Sequence, residues 1–345
     1  MLTIMRKDQP LCDFDLRTGL VHIIHQLPLD LYVEEGDDID TRINNLSNLY
    51  HWCASRVLSL DRKYAKEILN SCHLLQARTD KDRAMIALKY KCLSLQDSYW
   101  VRGNVNEQWT DLNLFNNTLS NAFVDVSLMG KSMTINNEML LAPDCSTDGV
   151  APKAWVRTDK GLFLYKASSN GSDSVTKEVE ASHILQKLGF SVLNYDYASY
   201  ENVPVSASKC FTSTEISSIS AEKYSYNYNL ESLVNQDFYI MNLCDYLVGN
   251  TDRHWGNWLF LYDDTGITGY APLMDFNHAF EANDDTSCLP YGYVYNESIS
   301  QYNAARIALE KTNIHLPDID LSEFKYGSYT IKRIKKLLDP PNPRF

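Results

Sequence analysis

No stretch of eighteen consecutive apolar residues occurs anywhere in the 345-residue chain. The first ten residues, Met-Leu-Thr-Ile-Met-Arg-Lys-Asp-Gln-Pro, also lack the long apolar core and small-residue cleavage site of a secretory leader. A membrane span and secretion are therefore not expected, and a cytoplasmic location is. Paired cysteines are missing too. Cys12, Cys53, Cys72, Cys92, Cys145, Cys210, Cys244 and Cys288 are scattered, with no Cys-x-x-Cys and no histidine cluster at zinc-ligand spacing, as in a reduced protein without a structural zinc. Positive charge is in deficit as well. Lys and Arg number 32 against 44 Asp and Glu, a net charge of -12. Such a mean field repels phosphate and argues against broad attraction to nucleic acid or anionic membranes, so any phosphate site must be local. Internal repeats are absent.

What is present is enough apolar content, 44%, to build one large domain or two ordinary ones. The first 130 residues read as mainly helical. Ile43, Leu46, Leu49, Tyr50, Cys53 and Val57 keep one helical stripe, and Tyr64, Ile68, Leu69 and Cys72 begin another, with Asp40 and Asp61 as caps. Further helices are expected over 81–90 and 112–126. No catalytic constellation stands out in this region.

From about Leu140 the texture changes to short strands. Ala154 to Arg157 and Leu162 to Ala167 flank the turn Thr158-Asp159-Lys160-Gly161 and predict a hairpin. A helix over 175–188 closed by Gly189 follows, then strands over 192–200 and 203–211. An apolar helix over 230–247 leads into the densest polar motif of the chain, Gly249-Asn250-Thr251-Asp252-Arg253-His254-Trp255-Gly256-Asn257-Trp258. Beyond it a strand over 258–262, the turn Asp263-Asp264-Thr265-Gly266 and a second strand ending at Leu273-Met274 should deliver Asp275 beside Asn257. Helices over 298–311 and 329–338 complete the chain, and Pro340, Pro341 and Pro343 end regular structure.

Two carboxylates and an amide converging in this way are what phosphoryl transfer needs: an acid to orient or deprotonate the attacking hydroxyl, and oxygen ligands that hold Mg²⁺ against nucleotide phosphates. Asp-x-x-x-x-Asn alone is a weak pattern, equally at home in a helix-end turn. The hairpin that carries an Asp-Phe pair behind it raises its weight. Lys166, on a predicted central strand, has the position from which an ammonium reaches the α- and β-phosphates.

Gly-Asn-Thr-Asp-Arg-His-Trp-Gly-Asn-Trp and Leu-Met-Asp-Phe-Asn-His resemble the catalytic and metal-binding loops shared by phosphoinositide 3/4-kinases and bacterial HipA-like Ser/Thr kinases. The resemblance spans about Ser146 to the C-terminus. It implies an α+β, two-lobed protein-kinase-like fold, with a helical N-terminal regulatory or docking region (1–130), a small β-rich lobe (131–215) and a larger helical lobe (216–345). It further implies ATP and Mg²⁺ as cofactors, Asp252 as the catalytic acid, Asn257 and Asp275 as metal ligands, and Arg253 and His254 as loop support or charge stabilisers. Asn277 stands where the Asp-Phe-Gly tripeptide has glycine. By the same resemblance Glu178, rather than Glu180 some 200° further round the helix, partners Lys166. The segment Ser146-Thr147-Asp148-Gly149 resembles the phosphate-covering loop, with Ser146 or Thr147 as an autophosphorylation site.

The expected activity is that of a HipA-like protein Ser/Thr kinase acting on a protein substrate, with a regulatory partner at the N-terminal region and no nucleic-acid partner. A phosphoinositide or small-molecule kinase is the alternative enzyme, although the acidic balance and the lack of a long basic run count against a lipid surface. A pseudokinase binding module is the alternative from another class; the intact set Lys166, Glu178, Asp252, Asn257 and Asp275 counts against it. A metallohydrolase built on His254 and His278 lacks a ligand triad.

Overall fold

The computed structural model describes residues 1–58, 62–71, 79–131, 150–168 and 172–339. Two compact units are present, Met1–Ser169 with Cys210–Ser218, and Asn170–Lys209 with Ile219–Phe345.

The first unit opens with strands where helices were expected. β1 (Leu2–Arg6), β2 (Gln9–Phe14), β3 (Val21–Ile23) and β4 (Tyr99–Arg102) form an antiparallel sheet in the order β3-β2-β1-β4. Lys7, in the left-handed region at φ 48°, makes the tight β1–β2 turn. The strands are too short for a periodic signal, and β2 contains Gln9, Pro10 and Asp13, residues poor in strand propensity. What holds them is nonlocal. Ile4, Met5, Leu11, Cys12 and Phe14 are buried, and the Trp100 indole N–H donates to the Lys7 carbonyl at 2.7 Å.

Helices lie beside the sheet: α1 (Ile39–Ala54), α2 (Ala65–Ser71), α3 (Asp80–Lys89), α4 (Trp109–Leu112) and α5 (Asn121–Met129); the single helix expected over 112–126 is replaced by the last two, with non-helical chain over 113–120 between them. The cap of α1 is Asp38, whose carboxylate accepts from the Thr41 N–H, and Asp40 lies in the first turn instead. Asp61 falls outside the described residues. Thr79 and Asp82 form a reciprocal capping box on α3, and Gly130 in the left-handed conformation ends α5. Arg56, at the end of α1, is buried in a two-point pair with Asp97 at 2.9 and 2.7 Å, donates to the Cys92 carbonyl at 2.6 Å and lies over the Trp52 ring at 4.7 Å. The predicted hairpin is β5 (Lys153–Thr158) and β6 (Gly161–Ala167), paired from Lys153↔Lys166 to Thr158↔Gly161. Arg157 fastens it by donating to the carbonyls of Leu114, Phe115 and Asn117.

The second unit contains α6 (Ser174–Lys187), the hairpin β7 (Tyr195–Tyr200) and β8 (Val203–Lys209), the short β9 (Ser217–Ser220) at its boundary, and α7 (Ala221–Ser225). α8 (Gln236–Val248), the hairpin β10 (Leu259–Asp263) and β11 (Gly266–Tyr270), and α9 (Leu289–Tyr295), α10 (Gln301–Thr312) and α11 (Gly327–Leu338) follow. The expected helix over 230–247 is divided: a 3-10 turn at Leu230–Leu233 precedes α8, which Asn235 caps. β11 ends at Tyr270, earlier than anticipated. Leu273 then makes an isolated bridge to Val192, and this contact carries the chain toward Asp275. From Met241 to its end α8 is buried on all sides. Leu243 and Leu247 share a core with Ile184 and Leu185 of α6, Ala305 and Ala308 of α10, Ile334 and Leu337 of α11, and Phe276. At about 1.5–3 kcal/mol per buried large side chain, that core is the rigid bed on which the polar loops at its edge rest.

None of the six described cysteines is in a disulfide. Among the described residues no helix is long and apolar enough to cross a membrane.

Candidate active site

The polar motif begins where α8 stops. Gly249 takes the left-handed conformation, φ 61°, and a Cβ there would lie 2.0 Å from the Tyr329 hydroxyl, so only glycine fits. Asn250, fully buried, donates from its amide to Asp245 at 3.0 Å, and its own carbonyl receives the Gln301 amide at 2.5 Å. The Asp252 N–H donates back to the Asn250 side chain at 3.3 Å, and the Asn257 side-chain amide donates to the Asp252 carbonyl at 3.0 Å, closing the loop on itself. Because the Asn257 nitrogen is committed in this way, Oδ1 is the atom it offers as a ligand.

Arg253 sits beneath this loop, 2% of its side chain exposed, and uses its whole guanidinium. Nε and one terminal nitrogen each donate to Asp245 at 2.9 Å. The other terminal nitrogen donates to the Asn257 carbonyl at 2.8 Å and the Met274 carbonyl at 2.6 Å. One side chain thus fixes the Asp252 to Asn257 loop against the residue preceding Asp275. Burial opposes its charge, and the Asp245 carboxylate overcomes that and keeps it protonated. All of these hydrogen bonds run to Asp245 and to the two loops.

Asp275 is also left-handed, φ 61°, and its N–H donates to the Tyr195 hydroxyl at 3.2 Å. Downstream, Phe280 (φ 63°) donates to the Val248 carbonyl at 2.7 Å and Thr251 to the His278 carbonyl at 3.3 Å, so the chain after Asp275 is laced to the start of the motif. Burial raises the Asp252 pKa above the usual carboxylate value; His254 and His278 pull against that, and Asp275 adds to it. His254 accepts the Gly256 N–H at Nδ1, 3.0 Å, and turns Nε2 toward Asp252 at 3.9 Å. A Cβ on Gly256 would strike this imidazole at 2.7 Å.

Hard-cation chemistry suits these residues. Asn277 Oδ1, two residues beyond Asp275, is buried and has no protein partner, so an oxygen acceptor beside Asp275 is left for an ion or its water to satisfy. Among the described residues no three His, Cys, Asp or Glu side chains gather into a metal cage.

The other sequence candidates lie on elements outside these two loops. Lys166 is buried on β6 of the first unit. Glu178 is buried on α6 of the second, where it accepts from the Ser206 hydroxyl on β8 at 2.5 Å, while Glu180 is half-buried. Ser146, Thr147 and Gly149 lie outside the described residues.

Sequence reasoning missed three supports of the site: Asp245, Gln301 and Glu281. Glu281 accepts from Lys177 at 2.5 Å, lies 3.0 Å from the His278 ring nitrogen, and receives the Thr251 hydroxyl at 3.4 Å. Partial burial opposes the Glu281 charge, but Lys177 and His278 hold its carboxyl below the usual range. Asp245 had a signal: an acid alone in an apolar helix must be paired, and Arg253 is eight residues on.

No family model matches the chain, and no curated protein does. Solved structures do. HipA of Shewanella oneidensis MR-1, in a toxin–antitoxin complex with HipB and its operator DNA, matches over 98% of this chain and 96% of that one, with a TM-score of 0.54 at 11% identity. The Helicobacter pylori proinflammatory kinase CtkA matches 55% of this chain and 89% of its own, with a TM-score of 0.40 at 20% identity. The fold is thus α+β, of the kind seen in HipA.

Proposed function

We propose that the protein is an ATP- and Mg²⁺-dependent phosphotransferase, in its most specific form a HipA-like protein Ser/Thr kinase. The observation that carries this reading is the Arg253 clamp. One guanidinium holds the backbone of Asn257 and of Met274, which supports the reading that an acid and two oxygen ligands act together there. Asp252, with its pKa raised, orients the acceptor hydroxyl and takes its proton as the acceptor oxygen bonds to the γ-phosphorus and the bond to the β–γ bridging oxygen breaks. Asn257 Oδ1 and the Asp275 carboxylate would hold the metal, which when bound offsets charge on the phosphates. Lys166 is assigned to the nucleotide phosphates and Glu178 to orienting Lys166. Ser146 and Thr147 are candidate self-acceptors, and a phosphate there would repel nucleotide.

Incubation with labelled ATP and Mg²⁺ in the presence of generic protein and phosphoinositide acceptors tests this. Transfer to protein by the parent but not by Asp252→Asn is the expected result. Transfer to phosphoinositide alone would replace the acceptor class. ATP binding without any transfer would leave a binding module.

A further inference from the structure

Beside Asp252 lies an aromatic surface with no part in the chemistry above. Trp255, in the 3-10 turn that follows His254, stacks on Tyr293 of α9, with ring centroids 4.8 Å apart and planes 15° from parallel. Both side chains are only half-buried. Glu222, in the first turn of α7, brings a carboxylate oxygen within 3.6 Å of where a Cβ on Gly256 would stand, the residue next to Trp255. α7 is held there by the Ala221 N–H, which donates to the Trp258 carbonyl at 2.7 Å. Glu222, the stacked rings and Asp252 are thus close neighbours. Burial raises the Tyr293 pKa, and the Asp252 and Glu222 carboxylates both raise it further. Arg253, two residues before Trp255, is buried and paired with Asp245, so its guanidinium is not offered to this surface.

A half-buried ring pair flanked by a carboxylate suits a cation carried on a flexible stem, whose head takes the carboxylate and whose methylenes lie on the rings. Resting on the kinase reading above, we propose that Trp255, Tyr293 and Glu222 form an acceptor subsite that selects peptide segments with a lysine or arginine close to the phosphorylated hydroxyl. Segments with an acid at that position are rejected by Glu222, and specificity comes from that repulsion as much as from attraction.

The test uses the full chain and fluorescein-labelled octapeptides holding one serine flanked by two arginines, two alanines or two glutamates. Binding is read by polarisation and phosphotransfer by kinetics. The arginine peptide should bind and react best. Glu222→Gln should raise its KM about tenfold with kcat nearly unchanged and leave the alanine peptide unaffected, and Tyr293→Ala should weaken the arginine and alanine peptides together. Equal affinity of the parent for all three peptides, or a Glu222→Gln effect that does not depend on peptide charge, overturns the subsite. Polarisation keeps the two proposals separable: Glu222-dependent binding of the arginine peptide without phosphotransfer would uphold the subsite and sink the kinase reading.

Discussion

Two buried arginine–aspartate pairs, one in each unit, have almost the same chemistry and different consequences. Arg56 and Asp97 make a two-point ion pair, and so do Arg253 and Asp245. Each guanidinium also donates to backbone carbonyls and lies near an aromatic ring, Trp52 for Arg56 and Phe276 at 5.5 Å for Arg253. Arg56 spends its remaining donors on Cys92 and Tyr99 and so joins α1 to the entry of β4, a scaffold contact. Arg253 spends its own on Asn257 and Met274, one in each loop of the candidate site. A buried ion pair is weak evidence for stability, because desolvation offsets much of its attraction. What separates the two pairs is the backbone to which the spare hydrogen bonds go.

That difference can be broken experimentally. The largest effect should come from the acid that Arg253 supports: Asp252→Asn should lower phosphotransfer by about 10² to 10⁴-fold, measured with labelled ATP, whereas Asp97→Asn should leave the activity of folded protein near the parent's. Next, Arg56→Leu and Arg253→Leu, each leaving a buried carboxylate unpaired, should both destabilise by about 3–5 kcal/mol in denaturant titration. The double replacements sharpen the contrast. Arg56→Leu with Asp97→Leu should recover most stability and keep activity, while Arg253→Leu with Asp245→Leu should recover stability yet stay about 10²-fold slow, since nothing then aligns the two loops. Equal activity in the two double variants would show that Arg253 is scaffold only.

The smallest effect is a pH slope. Burial raises the folded-state pKa of Asp252, so the native chain binds a proton more tightly than the unfolded one. The stability from this site is complete below the ordinary carboxylate pKa and is lost as pH rises through the raised value. In EDTA, Asp252→Asn should therefore melt above the parent at neutral pH and with it at acid pH. A variant that melts lower at neutral pH would mean that the Asp252 carboxylate is stabilised by its surroundings.

Legibility in the sequence followed the range over which the information acts. Asp252, Arg253, His254 and Asn257 fall within six residues, and the turn that brings Asp275 back announces itself in Asp263-Asp264-Thr265-Gly266, so the loops could be read directly. Asp245 signalled only that it needs a partner, and Gln301 could not be read at all, because it is one polar residue among several on α10. Nor could the first sheet. β1 pairs with β4 from Arg6↔Tyr99 to Thr3↔Arg102, across more than ninety residues, and no local window contains both strands. Helices such as α1 carry their own period and caps, and were placed within a few residues.

The close approach of Tyr329 to Gly249 has a temporal meaning. The Tyr329 hydroxyl donates to Ala282 at 2.7 Å, and Arg333, next on the same face of α11, donates to the Tyr246 carbonyl at 2.5 Å. The loop that holds Asp252 is therefore braced by the helix that leaves the ribosome last among those described. While α11 is still in the exit tunnel, Gly249 has no ring above it and the ends of α8 and of the Ala282 segment are unfastened. Translation thus makes the Asp252 loop well before the helix that braces it.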